Sequence, residues 1–246
     1  MQKLLSRFKT LYQAGIELLY PRNCIACGCL VEGNHFCYLC TECARNLYSI
    51  RPPSCLTCGA PFYGKVVGTQ QCPRCSQLTP FFVSGRSAIL LNGSGKALIH
   101  ELKYHHGLFL AADIRTLFGN LPGIKNFLAN AILVPVPLHP RKQRERGFNQ
   151  SYYIAKSLLP LHRTLTLQCL LRRTIDTSTQ TRLNRQERQK NLKRAFSLKS
   201  QTNLEVNKKH IIIDDVFTTG ATLNSCSQVL YQVGIRDLHV LTLAHG

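Results

Sequence analysis

The strongest constraint on the fold is a run of four Cys-x-x-Cys pairs: Cys24/Cys27, Cys40/Cys43, Cys55/Cys58 and Cys72/Cys75. Ten of the chain's twelve cysteines fall between residues 24 and 75. In a chain without a secretory signal, such pairs serve metal rather than disulfides. A tight turn brings both thiolates of a pair onto one ion, and Gly28 and Gly59, each directly after a second cysteine, let the backbone fold back. Twelve residues separate the first two pairs and thirteen the last two, so each half can close one tetrahedral four-thiolate site. Two small zinc ribbons with about two structural zinc ions are expected. The pairing is open at this level. Cys37 stands three residues before Cys40 and can replace Cys43 as its mate, and the four pairs can be crossed between the two ions. Cys29, Cys169 and Cys226 read as ordinary buried or free thiols.

Around this module, residues 1–22 read as an amphipathic helix. Leu4, Leu5, Phe8, Leu11, Tyr12, Ile16 and Leu19 share one face and are interrupted by Lys3, Arg7, Lys9 and Glu17. That is a docking helix rather than a signal peptide, and no stretch reaches the roughly 18 apolar residues of a membrane helix, so a cytoplasmic protein without a membrane span is expected. The double ribbon is assigned residues 23–80, ending in the polar and turn residues of "SQLTPFFVSG". Residues 81–246 then alternate strands and helices. "RSAILL" is strand-like, and "AILVPVP" (131–137), "HIIID" (210–214) and "LHVLTLA" (238–244) are apolar runs of strand length. Such runs suit a parallel sheet covered on both faces. Helices are expected near 96–104, 108–119, 149–160 and 221–233, giving an α/β fold. "NGSGK" (92–96) is not a phosphate loop: Leu90 stands where the earlier glycine is required and Ala97 where the magnesium-holding hydroxyl should be, which leaves a hairpin or the first turn of a helix.

"HIIIDDVFTTGATLN" (210–224) carries the chemistry. The aliphatic run delivers Asp214 and Asp215 to a strand end, where ligands of open parallel sheets bind. Carboxylates there can accept hydrogen bonds from the vicinal hydroxyls of a ribose. The turn of Thr218, Thr219, Gly220, Ala221 and Thr222 then offers amides and hydroxyls at a helix N-terminus, a cradle for a phosphate. A helix cap at Thr219 or Thr222 explains one hydroxyl of this string but not the whole of it.

The string resembles the phosphoribosyl pyrophosphate (PRPP) motif of type I phosphoribosyltransferases. "VPVPLHPRKQRERGFNQS" (134–151) lies where that fold places its pyrophosphate loop, which implies roles for Pro137, Leu138, His139 and Arg146 beside Arg141, Lys142 and Arg144. A lone loop histidine such as His139 is otherwise a surface or hydrogen-bonding residue. The spacing of Thr177, Gln180, Leu183 and Arg188 resembles the flexible lid of amidophosphoribosyltransferases, a loop that excludes water once substrate binds. Zinc pairs, "ELKYHHG", "VPVPLHP", "RGFNQ" and "DDVFTTGATL", in that order, are similar to the ComF competence-protein family. The resemblance spans the chain and implies a type I phosphoribosyltransferase-like parallel sheet behind a double zinc ribbon. It also implies PRPP with magnesium as ligand, Lys103 and Tyr104 near the hood, and a place in natural transformation alongside DNA-uptake proteins. The chain begins Met1-Gln2 where amidotransferases carry a nucleophilic cysteine, so glutamine hydrolysis is not expected.

Charge points to a second ligand. With 31 Lys+Arg against 12 Asp+Glu the formal charge is +19, or roughly +15 once each four-thiolate zinc site counts about −2. One pyrophosphate does not require that excess, so other polyanions are implied. Arg185, Lys190, Lys193 and Arg194 lie in a stretch, 172–196, that holds eight cations and two acids, and they are assigned to single-stranded DNA. Phe148, Tyr152 and Tyr153 are stacking residues or core. Two function classes follow. One is a competence factor that binds PRPP with magnesium and single-stranded DNA. The other is a metabolic transferase moving ribose 5-phosphate to a small nucleophile.

Overall fold

The computed structural model describes residues 21–33, 35–64, 71–76, 78–105, 107–175, 195–200 and 204–246. The amphipathic segment before residue 21, the lid residues Thr177, Gln180 and Arg188, and the cations Arg185, Lys190, Lys193 and Arg194 lie outside them.

The cysteine module is largely turn and bridge, with two short helices, α1 (Thr41–Arg45) and α2 (Pro73–Ser76). The sheet follows: β1 (Ser84–Leu90), α3 (Gly93–Tyr104), a 3-10 turn (Gly107–Leu110), α4 (Ala111–Gly119), α5 (Ile124–Leu128), β2 (Ala131–Pro135), α6 (Pro140–Arg146), α7 (Gln150–Leu158) and β3 (Thr166–Leu167). A small antiparallel pair, β4 (Leu171–Arg173) and β5 (Phe196–Leu198), precedes β6 (Lys209–Phe217), α8 (Ala221–Gln232) and β7 (Leu238–His245). The five-stranded sheet has the order β1-β7-β6-β2-β3 and is parallel throughout. It is the expected type I phosphoribosyltransferase-like sheet behind zinc ribbons.

Period-2 geometry explains why the central strands read as unbroken aliphatic runs. Ile211 and Ile213 of β6 join Leu133, Leu241 and Leu243 in a core with α3, α4 and α7, while Ile212 joins Ile132, Val134 and Val240 in a second core with α8. A strand buried on both faces has no polar side to present. The expected "NGSGK" turn is a helix start, with extended Asn92 leading into α3. One expected loop is instead helical: Arg141, Lys142, Arg144 and Arg146 sit on α6. Pro140 starts it and Gly147, left-handed at φ 79°, stops it, the usual asymmetry of helix ends.

The two halves of the cysteine module dock on opposite faces. Cys24 and Leu39 belong to the α3/α4 core, where Asp113 of α4, fully buried, accepts the amides of Cys37 (2.6 Å) and Tyr38 (2.9 Å). Cys55, Cys58, Cys72 and Cys75 belong to the α8 core. The connector between them borders β1: the amide of Ile50 bonds to Ala88 and that of Leu90 to Tyr48, both at 2.9 Å. Among the described residues no helix is long and apolar enough to cross a membrane.

Candidate functional site

β6 outruns its expected end by three residues, so Asp214 and Asp215 lie inside the strand near its carboxyl end. Their partners come from α7 and α3. Ser151 Oγ donates to Asp214 (2.9 Å), Gln150 Nε2 donates to Asp215 (2.9 Å), and Lys103 Nζ at the end of α3 lies 3.2 Å from the same Asp215 oxygen. Arg146 extends the chain by donating to Gln150 Oε1 at 2.6 Å, with its guanidinium 5.7 Å from the centroid of Tyr104. Burial, and then the charge of Asp215 beside it, push the Asp214 carboxyl up to about 7, against the amide of Asp215, the Ser151 hydroxyl and Lys103, which hold it down. Near neutral pH the Asp214 carboxyl is therefore protonated in part of the molecules.

Beside this pair, Lys103, Tyr104, Lys142, Glu145, Arg146 and Phe148 line a recess of about 290 Å³. Three cations around a small recess next to two carboxylates can hold a diphosphate while the carboxylates hold a diol. Beyond the strand, Thr218 and Thr219 are exposed and Gly220, at φ 75°, stands at the N-cap of α8 with no side-chain cap bond. A Cβ on Gly220 would come 2.6 Å from Phe217 and 3.3 Å from Leu78, so only glycine fits there. Thr219 Oγ1 lies 3.4 Å from the Ala221 amide, and Ala221 and Thr222 open the helix.

Pro137, Leu138 and His139 form the half-buried turn after β2, where His139 accepts the Arg141 amide at 3.4 Å as a helix cap. The acids, the loop and Arg146 thus share the carboxyl side of the sheet. Gln150 and Ser151, which hold both acids, escaped the sequence reading. The available signal was the "RGFNQ" that carries the resemblance, which ends in Gln150 and is followed by Ser151.

The eight cysteines settle into two groups, Cys24/Cys27/Cys40/Cys43 and Cys55/Cys58/Cys72/Cys75, with all sulfur atoms of a group within 4.8 Å of one another. Cys37 takes no part in either, and the uncrossed pairing holds. The closest inter-pair sulfurs are 3.6 Å (Cys27 to Cys40) and 3.7 Å (Cys58 to Cys72) apart, close to the edge of roughly 3.8 Å that a tetrahedron with Zn–S bonds of about 2.3 Å requires. Burial raises the thiols of Cys43 and Cys75 to about 12 each, aided by neighbouring cysteines, so four thiols this close cannot all ionise unaided. Two groups of this geometry fit two structural zinc ions.

Residues 15–77 match the model of the double zinc ribbon domain family. Competence protein F of Haemophilus influenzae is 30% identical over 219 residues, covering 85% of this chain and 90% of that protein. The chain belongs to the ComF family. Two other relatives of this ComF protein span both modules: the DNA utilization protein YhgH of Escherichia coli K12, 30% identical across 92% of this chain and 98% of its own, and competence protein ComFC of Bacillus subtilis, 26% identical across 80% and 79%. The family resemblance read from the motifs therefore holds over both the ribbons and the sheet.

Proposed function

We propose that this protein acts in the cytoplasmic handling of DNA taken up in natural transformation, and that it binds PRPP with magnesium at the acid pair and single-stranded DNA through its basic surface. The observation that carries the phosphoribosyl half is the convergence, at the end of β6, of Asp214 and Asp215 with Lys103, Arg146 and the first turn of α8. Asp214 and Asp215 take the ribose hydroxyls, displacing Ser151 and Gln150 from part of their bonding. Thr218 to Thr222 take the 5-phosphate, with Thr219 and the opening amides of α8 as donors. Lys103 and Arg146 face the diphosphate. Magnesium fits this oxygen-rich set and, when bound with the diphosphate, neutralises the charge of that leaving group. The second half draws on the formal charge of +19 and on relatives named for competence and DNA utilization. If a nucleophile is present, transfer proceeds by charge stabilisation, and the same site serves a metabolic transferase.

The deciding experiment is calorimetric titration with PRPP and magnesium. Asp214→Asn and Asp215→Asn should each weaken binding by about 1.5–3 kcal/mol, the range for hydrogen bonds to a charged group. Equal binding by wild type and the double variant removes the site. Because the Asp214 carboxyl titrates at about 7, wild-type binding should strengthen as pH rises through that value and the carboxylate forms, and Asp214→Asn should lose that dependence. Release of pyrophosphate on adding candidate nucleophiles separates turnover from occupancy. Salt-sensitive filter binding of single strands, weakened by charge reversal at Lys190, Lys193 and Arg194, tests the DNA half.

A further inference from the structure

A second recess opens near the acid pair, apart from the phosphoribosyl site. A cavity of about 520 Å³ opens between the turn after β2, the start of α7, and the β4/β5 pair, and none of residues 214–222 lines it. Its volume falls within the usual range for small-molecule pockets, about 300–1,000 Å³. One wall is aromatic: Phe148 and Tyr153 meet edge to face at 5.8 Å, and Tyr153 and Tyr152 at 5.5 Å. Phe148 is buried, while both tyrosines are half-exposed and keep ring surface open. The facing wall is cationic, with Arg172, Arg173 and Lys199, and among the described residues no carboxylate lines the cavity. Arg172 is oriented by its Nε, which donates to Ser197 Oγ at 2.9 Å across the β4/β5 pair. Arg173 lies over the Phe196 ring at 5.3 Å.

Rings opposite cations, without an acid between them, select a ligand that is planar at one end and anionic at the other. The geometry points to a second site in which Tyr152 and Tyr153 take a nucleobase and Arg172 and Lys199 the phosphate attached to it. A base has a π-face for a tyrosine whatever its identity, so such a site is tolerant of sequence. The nucleotide unit can come from a free nucleotide or from a single strand crossing the surface. In the second case the site gives the DNA-binding half of the proposed function its place and rests on that reading; the phosphoribosyl half is independent of it. Phe148 lines both this cavity and the recess beside Asp215, so one ring separates the two sites.

The chain has nine tyrosines and no tryptophan, so tyrosine emission can be followed without tryptophan background, with the Tyr152 variants assigning the change to the cavity. Zinc-loaded full-length protein is titrated with dTMP and with fluorescein-labelled dT12 at about 0.1 M salt, following tyrosine quenching and anisotropy. Tyr152→Leu should weaken binding roughly five- to a hundred-fold, the span reported for loss of one stacking partner, and Tyr152→Phe should retain it. Arg172→Gln with Lys199→Gln, both exposed and harmless to the core, should weaken binding at least several-fold. Loss for dT12 identifies a strand as occupant, and loss for dTMP alone identifies a free nucleotide. If dT12 binds the wild type and the Arg172/Lys199 variant equally and dTMP quenches neither, DNA binding stands and this cavity is not its site. If the wild type binds neither probe, both the site and the DNA reading fall, while PRPP binding is unaffected.

Discussion

The two cysteine groups share ligand type and nearly share spacing, yet they are embedded differently. In the first, Cys27 is exposed and Cys40 and Cys43 are half-buried; in the second, all four cysteines are buried. Their knuckles superimpose in kind: the Gly28 amide bonds to the Cys24 carbonyl and the Gly59 amide to Cys55, both at 2.8 Å, with φ of 78° and 76°. Beyond a Cβ on Gly28 there is open space. Beyond one on Gly59 lies the backbone of Arg86 and Ser87 in β1, at 2.7–2.9 Å. The first ribbon joins the α3/α4 core through Cys24, Leu39 and the Asp113 bonds while Cys27 stays at the surface, whereas the second sinks all four cysteines into the α8 core. Identical coordination chemistry can therefore sit at the margin of a domain's core or inside it, and the surroundings decide which.

The sharpest way to break this comparison is to remove one ligand from each group. Cys58→Ser should forfeit on the order of 10 kcal/mol of metal-linked folding free energy and unfold the sheet with it. Cys27→Ser should lose one zinc and fray the first ribbon while the sheet still melts cooperatively. Zinc content with thermal melting reads both, and equal melting of the two variants would contradict the different embedding. Next come the glycines. Gly28→Ala should cost about 1–2 kcal/mol for a left-handed alanine, and Gly59→Ala about 1–3 kcal/mol more for pressing on β1, measured by urea unfolding. Asp113→Asn turns one acceptor towards an amide as a donor and should cost about 2 kcal/mol. Its signature is faster hydrogen exchange at the Cys37 and Tyr38 amides, with PRPP affinity unchanged.

The smallest effect tests how the second ribbon reaches the turn before α8. Asn224 in the first turn of α8 accepts the Phe81 amide (2.8 Å) and donates to the Thr79 carbonyl (3.0 Å), just beyond the last cysteine, and Leu78 packs at Gly220. Asn224→Ala should weaken PRPP binding by about 1 kcal/mol, roughly five-fold, by loosening that turn. An unchanged affinity in calorimetry would show that the ribbon does not steady the loop.

Local chemistry was legible in the sequence, and long-range geometry was not. The cysteine spacing picked out the eight ligands because ligand pairs are local, but it left open how the pairs combine and which sheet face each ribbon covers. The aliphatic run before Asp214 located β6, although the strand continues three residues past its expected end. Its partners Gln150, Ser151 and Lys103 lie 63 to 112 residues away in the chain, and only tertiary packing brings them there. α6 was missed because its seven residues are almost all polar, so no apolar period marks it; Pro140 and Gly147 were the readable punctuation. β3 and the β4/β5 pair, two or three residues each, are too short to show a period.

The position of β7 has a consequence for how the molecule is assembled. It is the last strand in the chain and the one that joins β1 to β6. During synthesis the ribbons and β1 emerge some 150 residues before their strand neighbour, and until then β1 has beside it the ribbon connector at Tyr48 to Ile50 and the second ribbon at Leu56. Zinc capture can thus protect an unfinished sheet edge while the ribosome completes the rest, so metal supply during translation, and not only in the mature protein, governs the yield of folded chains.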